Sequence, residues 1–208
     1  MQNRFGKSKT GGGKTGTEKT GDGPRAAVKP LISERVDNGR SIFLVGFMGA
    51  GKTTVGRVLG RRLGLKFEDL DDRIQQREGK TIEEIFRESG EAEFRKAETS
   101  ALRAVLAELG SSTGVVALGG GAFVQPENSA LLEAAAVHSV FLDAPADELL
   151  RRCERESKER PLRQNAEQFC ELYEMRRPAY MKADVRIDTN GKDVDAIAAE
   201  VACSLGLE

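Results

Sequence analysis

A chain of 208 residues that is 39% hydrophobic and 31% charged carries enough apolar material for one compact domain with a sizeable core. Its formal net charge of -1 argues against wholesale binding of nucleic acid or of an anionic membrane surface, so any anion site must be local. No apolar run approaches the ~20 residues that span a bilayer, and the three cysteines, Cys153, Cys170 and Cys203, include no C-x-x-C pair that would suggest a disulfide framework or a zinc site. The expectation is a cytoplasmic protein with reduced thiols and no nucleic-acid or membrane partner.

Residues 1–24 are rich in Gly, Lys and Thr with almost nothing to bury, and read as a disordered tail; residues 26–37 read as a short helix or linker. Residues 1–40 are therefore expected to be an extension, and 41–208 the folded, catalytic domain. That domain opens with Ser41-Ile42-Phe43-Leu44-Val45, a buried-strand run, followed by Gly46-Phe47-Met48-Gly49-Ala50-Gly51-Lys52-Thr53. Two glycines with four residues between them, then lysine and a hydroxyl residue, form the P-loop pattern. Glycines let successive N–H groups converge on phosphates at a helix N-terminus. Gly49, Ala50, Gly51, Lys52, Thr53 and Thr54 are the expected nucleotide cradle. In it, Lys52 neutralises phosphate charge and Thr53 is placed to ligate the magnesium that accompanies ATP or GTP. Helical spacing of Val55, Val58, Leu59 and Leu63 follows.

Leu65 to Asp71 reads as a second strand ending in two carboxylates, Asp69 and Asp71, on one side. An isolated Asp-x-Asp is more often a helix cap. Behind a P-loop, one carboxylate is suited to a water of the magnesium shell and the other to a substrate hydroxyl. Thr81-Ile82-Glu83-Glu84 is a capping box opening a helix to Glu88 that Ser89-Gly90 stops; Glu91 to Leu109 is a longer helix. Its Arg95 lies among Glu91, Glu93 and Glu98, which by spacing alone reads as a salt-bridged solvated face.

Val115 to Leu118 is a third strand running into Gly119-Gly120-Gly121, glycines that make sense where a ligand or another backbone approaches closely, a loose turn being the alternative. Pro126 to Ala136 reads as a helix, Val137 to Leu142 as a strand with a structural His138, and Ala146 to Glu156 as a helix. The polar stretch 157–165 reads as a loop between helices, either a charged linker or a lid that closes over phosphates. Ala166 to Met175 is helical and ends in Arg176-Arg177-Pro178-Ala179-Tyr180; a strand, Val185 to Asp188, and a helix, Val194 to Leu205, finish the chain. The alternation predicts a three-layer α/β/α P-loop kinase with a central parallel sheet of about five strands.

Six motifs together, Gly46 to Thr54, Asp69-Leu70-Asp71, Gly90-Glu91-x-x-Phe94-Arg95, Gly119-Gly120-Gly121-Ala122, Arg160-Pro161-Leu162 and Arg176-Arg177-Pro178-x-Tyr180, make residues 41–207 resemble the shikimate kinase family. The resemblance implies ATP-dependent phosphorylation of the 3-hydroxyl of shikimate, on the route to chorismate and the aromatic amino acids. It implies that Asp71 orients or deprotonates the substrate hydroxyls, and that Asp69 supports the magnesium shell through water. Arg95 and Arg176 would hold the shikimate carboxylate with the backbone of Gly119, Gly120 and Gly121, and Arg160 would bring the lid to the ATP phosphates. After the last strand, Thr189-Asn190-Gly191-Lys192-Asp193 departs from the arginine many members carry there, leaving Lys192 as at most a weaker adenine contact. The competing readings are another P-loop kinase of small molecules or nucleoside monophosphates, and a non-catalytic ligand sensor on the same fold.

Overall fold

The computed structural model describes residues 41–156 and 166–208; the expected extension 1–40 and the expected lid 157–165, with Arg160, lie outside the described residues. Five strands form one wholly parallel sheet: β1 (Ile42–Val45), β2 (Lys66–Asp69), β3 (Gly114–Ala117), β4 (His138–Asp143) and β5 (Val185–Asp188). Their order is β2-β3-β1-β4-β5. Every residue of the central β1 is 0% exposed, as expected of a strand covered on both faces. The edge strands β2 and β5 are polar and half-exposed.

The helices are α1 (Lys52–Leu63), α2 (Leu70–Glu78), α3 (Ile82–Glu108), α4 (Pro126–Ala134), α5 (Ala146–Glu156), α6 (Ala166–Tyr180) and α7 (Val194–Ser204). They flank the sheet in the expected α/β/α arrangement. None of the described helices is long and apolar enough to cross a membrane. The register aligns Leu44 with both Ala117 and Val140, and Asp69 with Ala117. The P-loop, Asp69 and the three glycines after β3 consequently leave the sheet at the same carboxyl end of its strands, where open α/β sheets bind ligands.

Of three expectations about element boundaries, two need correction. The second strand stops at Asp69, so Asp71 does not alternate with it along a strand; the Asp69 side chain accepts the Asp71 N–H and caps α2. α6 continues through Arg176, Arg177 and Pro178 to Tyr180. A proline this close to a helix end forfeits few hydrogen bonds, and Met181 N–H still closes the last turn onto Arg177 O at 3.0 Å. The third expectation holds instead: within α3, Gly90 keeps a non-helical backbone (φ 77°, ψ 174°) that kinks it into the two helices read on either side of Gly90. The Thr81 capping box at its start is complete, with Glu84 N–H on Thr81 Oγ1 at 3.2 Å and Thr81 N–H on Glu84 Oε2 at 2.8 Å.

Candidate active site

α1 begins at Lys52 directly after Gly51, with no side chain capping it. Its open N–H groups and dipole face the P-loop, which suits an anion. Gly49 has φ 76°, and a Cβ there would lie 2.5 Å from Leu149 O and 2.8 Å from Cys153 Sγ, so only glycine fits this bend. Lys52 Nζ donates to Phe47 O at 2.9 Å, which draws the ammonium over the loop. The Phe47 ring is fully buried; it meets Phe169 and Tyr173 edge-on at 5.0 and 5.5 Å between centroids, and the Arg176 guanidinium lies 5.8 Å from its centre.

Thr53 Oγ1 donates to Asp69 Oδ2 at 2.6 Å, and Asp69 Oδ1 accepts Asp71 N–H at 3.0 Å. Asp71 is half-buried in the first turn of α2. Burial and the Asp69 charge push its carboxyl above the ordinary range, while Lys52 and Arg95 pull it back.

Side chains of this chain close in on two of the glycines after β3, Gly119 and Gly121. A Cβ on Gly119 would come within 2.6 Å of Asp71 Oδ1 and 3.1 Å of Glu98 Oε1, and one on Gly121 within 2.7 Å of Arg95 Nη2. Gly120 O accepts the Tyr180 hydroxyl. Tyr180 is 0% exposed and stacks on Phe141; burial pushes its hydroxyl up to about 12 against the pull of Arg176, one helical turn earlier. Asp71, Arg95 and the Arg176–Tyr180 turn are thus gathered around Gly119–Gly121.

Arg95 is not on a solvated face. Its side chain is 21% exposed, and Nη1 donates to Glu98 Oε2 at 2.9 Å, while Nη2 donates to Glu91 Oε1 at 3.0 Å. Glu93 pairs instead with Lys96. Glu98 is 1% exposed, a carboxylate in the core-facing stripe of Phe94, Ala101, Leu102 and Val105. The sequence reading placed Glu98 near Arg95 by spacing but not its burial among these apolar residues.

A family model described as shikimate kinase matches residues 48–205. The chain belongs to the shikimate kinase family. The shikimate kinase of Geobacter sulfurreducens is 45% identical over 169 residues, covering 79% of this chain and 90% of its own length. That of Persephonella marina is 40% identical over 162 residues, covering 78% and 96%. Among solved structures, shikimate kinase from Acinetobacter baumannii in complex with shikimate has a TM-score of 0.72 at 38% identity, covering 81% of this chain and 94% of that one.

Two further groupings of this shikimate kinase family chain were not legible in the sequence. Lys192 is held by Glu200 at 2.5 Å. The cation braced on the loop after β5 is Arg152, whose Nη1 and Nη2 donate to Thr189 Oγ1 and Thr189 O at 3.1 and 2.9 Å. The other grouping surrounds Asp143 at the end of β4, which is 4% exposed and accepts from Tyr173 Oη, Arg177 Nη2 and Arg186 Nε, each at 2.9 Å. This buried carboxylate fixes α6 to the sheet and so fixes where Arg176 stands. Among the described residues no group of three or more His, Cys, Asp or Glu is placed to hold a metal. The oxygens of Thr53 and Asp69 are the hard donors suited to magnesium, and an ion there would take its remaining ligands from phosphates and water.

Proposed function

We propose that this chain transfers the γ-phosphoryl group of ATP to the 3-hydroxyl of shikimate, giving shikimate 3-phosphate and ADP. The observation that carries the reading is the meeting of a carboxylate, Asp71, and a guanidinium, Arg95, against Gly119 and Gly121 at the carboxyl end of the strands, where the P-loop opens. A small polyhydroxy acid requires both: a carboxylate for its hydroxyls and a guanidinium for its carboxylate.

In this reading the P-loop backbone from Gly49 to Thr54 binds the ATP phosphates, and Lys52 exchanges its Phe47 carbonyl for phosphate oxygen. Thr53, with Asp69 acting through water, holds magnesium, which spreads charge on the transferring group when bound. Asp71 accepts the hydrogen bond of the reacting hydroxyl and takes its proton, a role helped by a raised affinity for protons. Arg95, Arg176 and the backbone of Gly119, Gly120 and Gly121 hold the acid. Arg160 is assigned to the phosphates through its Arg-Pro-Leu match, residues 157–165 to the lid, residues 41–208 to the catalytic domain and residues 1–40 to an extension. The chain is proposed to act in the cytoplasm as a monomer.

The test is ADP release with magnesium-ATP, with and without shikimate, beside an Arg176→Ala variant. Shikimate-dependent release that collapses in the variant supports both reaction and clamp. Release that survives the variant removes Arg176 from the site. No dependence on shikimate, in a folded protein that binds ATP, rejects the acceptor.

A further inference from the structure

Arg95 can meet a substrate carboxylate only if its own partners hold the guanidinium in place. One of those partners is unusual. Glu98 is 1% exposed, yet a single oxygen of its carboxylate, Oε2, receives two donors: Arg95 Nη1 at 2.9 Å and Gln125 Nε2 at 2.6 Å. Its other oxygen faces Gly119 and, across it, Asp71. The terminal torsion of a glutamate is broad and roughly two-fold, so one bond to Arg95 would leave the carboxylate free to swivel toward Asp71. The Gln125 amide adds a second donor to the same oxygen and so holds the carboxylate turned toward Arg95.

The backbone carrying that amide is itself fixed. Gln125 N–H donates to Ala122 O at 3.3 Å, Gln125 O accepts from Ser129 N–H at 3.0 Å and Ser129 Oγ at 3.2 Å, and Pro126 follows. Gln125 thus sits just after the glycines that bound the site and reaches back to the buried carboxylate.

We infer that Gln125 is a positioning residue for the shikimate carboxylate clamp, acting through Glu98 on Arg95. The inference rests on the functional reading above for the identity of the clamped acid. Charge supports it as well. Burial and the Asp71 charge push the Glu98 carboxyl up, and Arg95 and Gln125 oppose them. A protonated Glu98 would no longer hold Arg95 as an ion pair. The amide also lines a cavity of about 330 Å³ with Arg95, Thr99 and Arg103. Gln125 is half-buried rather than core, so its replacement need not unfold the chain.

The experiment compares the full chain with Gln125→Leu and Gln125→Glu by ADP release at saturating magnesium-ATP between about pH 6 and pH 9, with a thermal melt of each. In Gln125→Leu the KM for shikimate should rise about tenfold, as for a lost hydrogen bond to a charged group, with kcat within about twofold. That KM should worsen toward low pH, because Glu98 deprived of a donor takes up a proton sooner. In Gln125→Glu the dependence should reverse: the protonated side chain can still donate at low pH, and its ionisation places a second negative charge beside Glu98 as pH rises. Opposite pH trends in the two variants are a signature that a merely structural role would not produce. A shikimate KM in Gln125→Leu within twofold of the unaltered chain, or the same pH trend in both variants, overturns the inference while leaving the reaction intact. Absence of shikimate-dependent turnover in the unaltered chain would overturn both.

Discussion

The Thr53 hydroxyl and the Asp69 carboxylate meet at 2.6 Å, joining the first turn of α1 to the end of β2. Because the second Asp69 oxygen caps α2, one side chain sets the spacing between the phosphate cradle and the helix that carries Asp71.

This double duty separates under substitution. Asparagine caps a helix about as well as aspartate, so Asp69→Asn should leave the melting temperature nearly unchanged. Losing the charge should raise the magnesium concentration for half-maximal rate by about tenfold. Magnesium titration of the rate, beside a thermal melt, makes the check; an unaltered magnesium requirement would reduce Asp69 to a structural clip.

Asp71 should set the acid limb of the pH profile. Its carboxyl lies above the ordinary value, chiefly through burial, so kcat/KM for shikimate should fall as pH drops through a value higher than a free aspartate shows. For stability the sign is opposite. A carboxyl that binds its proton more tightly when folded favours the fold at low pH, and that contribution is lost as pH rises through the raised value. Asp71→Asn should therefore melt no lower than the parent at neutral pH while losing kcat by ~100-fold or more, with ATP binding nearly intact. An unchanged kcat would end its assignment as base.

Tyr180 offers a test of the glycine segment. Tyr180→Phe keeps the stack on Phe141 but removes the donor to Gly120 O, and should cost about 1–3 kcal/mol of stability together with tighter substrate positioning. Since the hydroxyl is pushed up to about 12 from 10.0, the parent should lose stability between those values as the unfolded chain ionises first. Alkaline unfolding followed by tyrosine absorbance should show this loss, and the variant should lack it. Coincident alkaline transitions would argue against the buried hydrogen bond.

The central sheet and the phosphate loop were legible because their signals are local. β1, β3 and β4 are short apolar runs, and the P-loop is a fixed spacing of glycine, lysine and threonine. α2 was not legible: Leu70 and Ile74 are its only buried residues, and Asp69-Leu70-Asp71 mimics strand alternation until the cap hydrogen bond is seen. The continuation of α6 past Pro178 depends on packing of Tyr173 and Tyr180, which no local propensity reveals. Spacing placed Glu98 beside Arg95 but not its burial, and the contact between Glu98 and Gln125 was hidden because 27 residues separate that pair in sequence. The Arg152–Thr189 and Asp143–Arg186 contacts were hidden for the same reason.

Phe47 carries a consequence beyond its burial. Its carbonyl steadies Lys52 while its ring backs Arg176, so the anchors assigned to two different substrates take their bearings from one residue. A shift of the phosphate loop is then expected to reach the group assigned to the acid, a form of mechanical gearing between the two halves of the proposed reaction. Phe47→Leu should for that reason raise the KM values of ATP and shikimate together; a change confined to one of them would show that the gearing runs elsewhere.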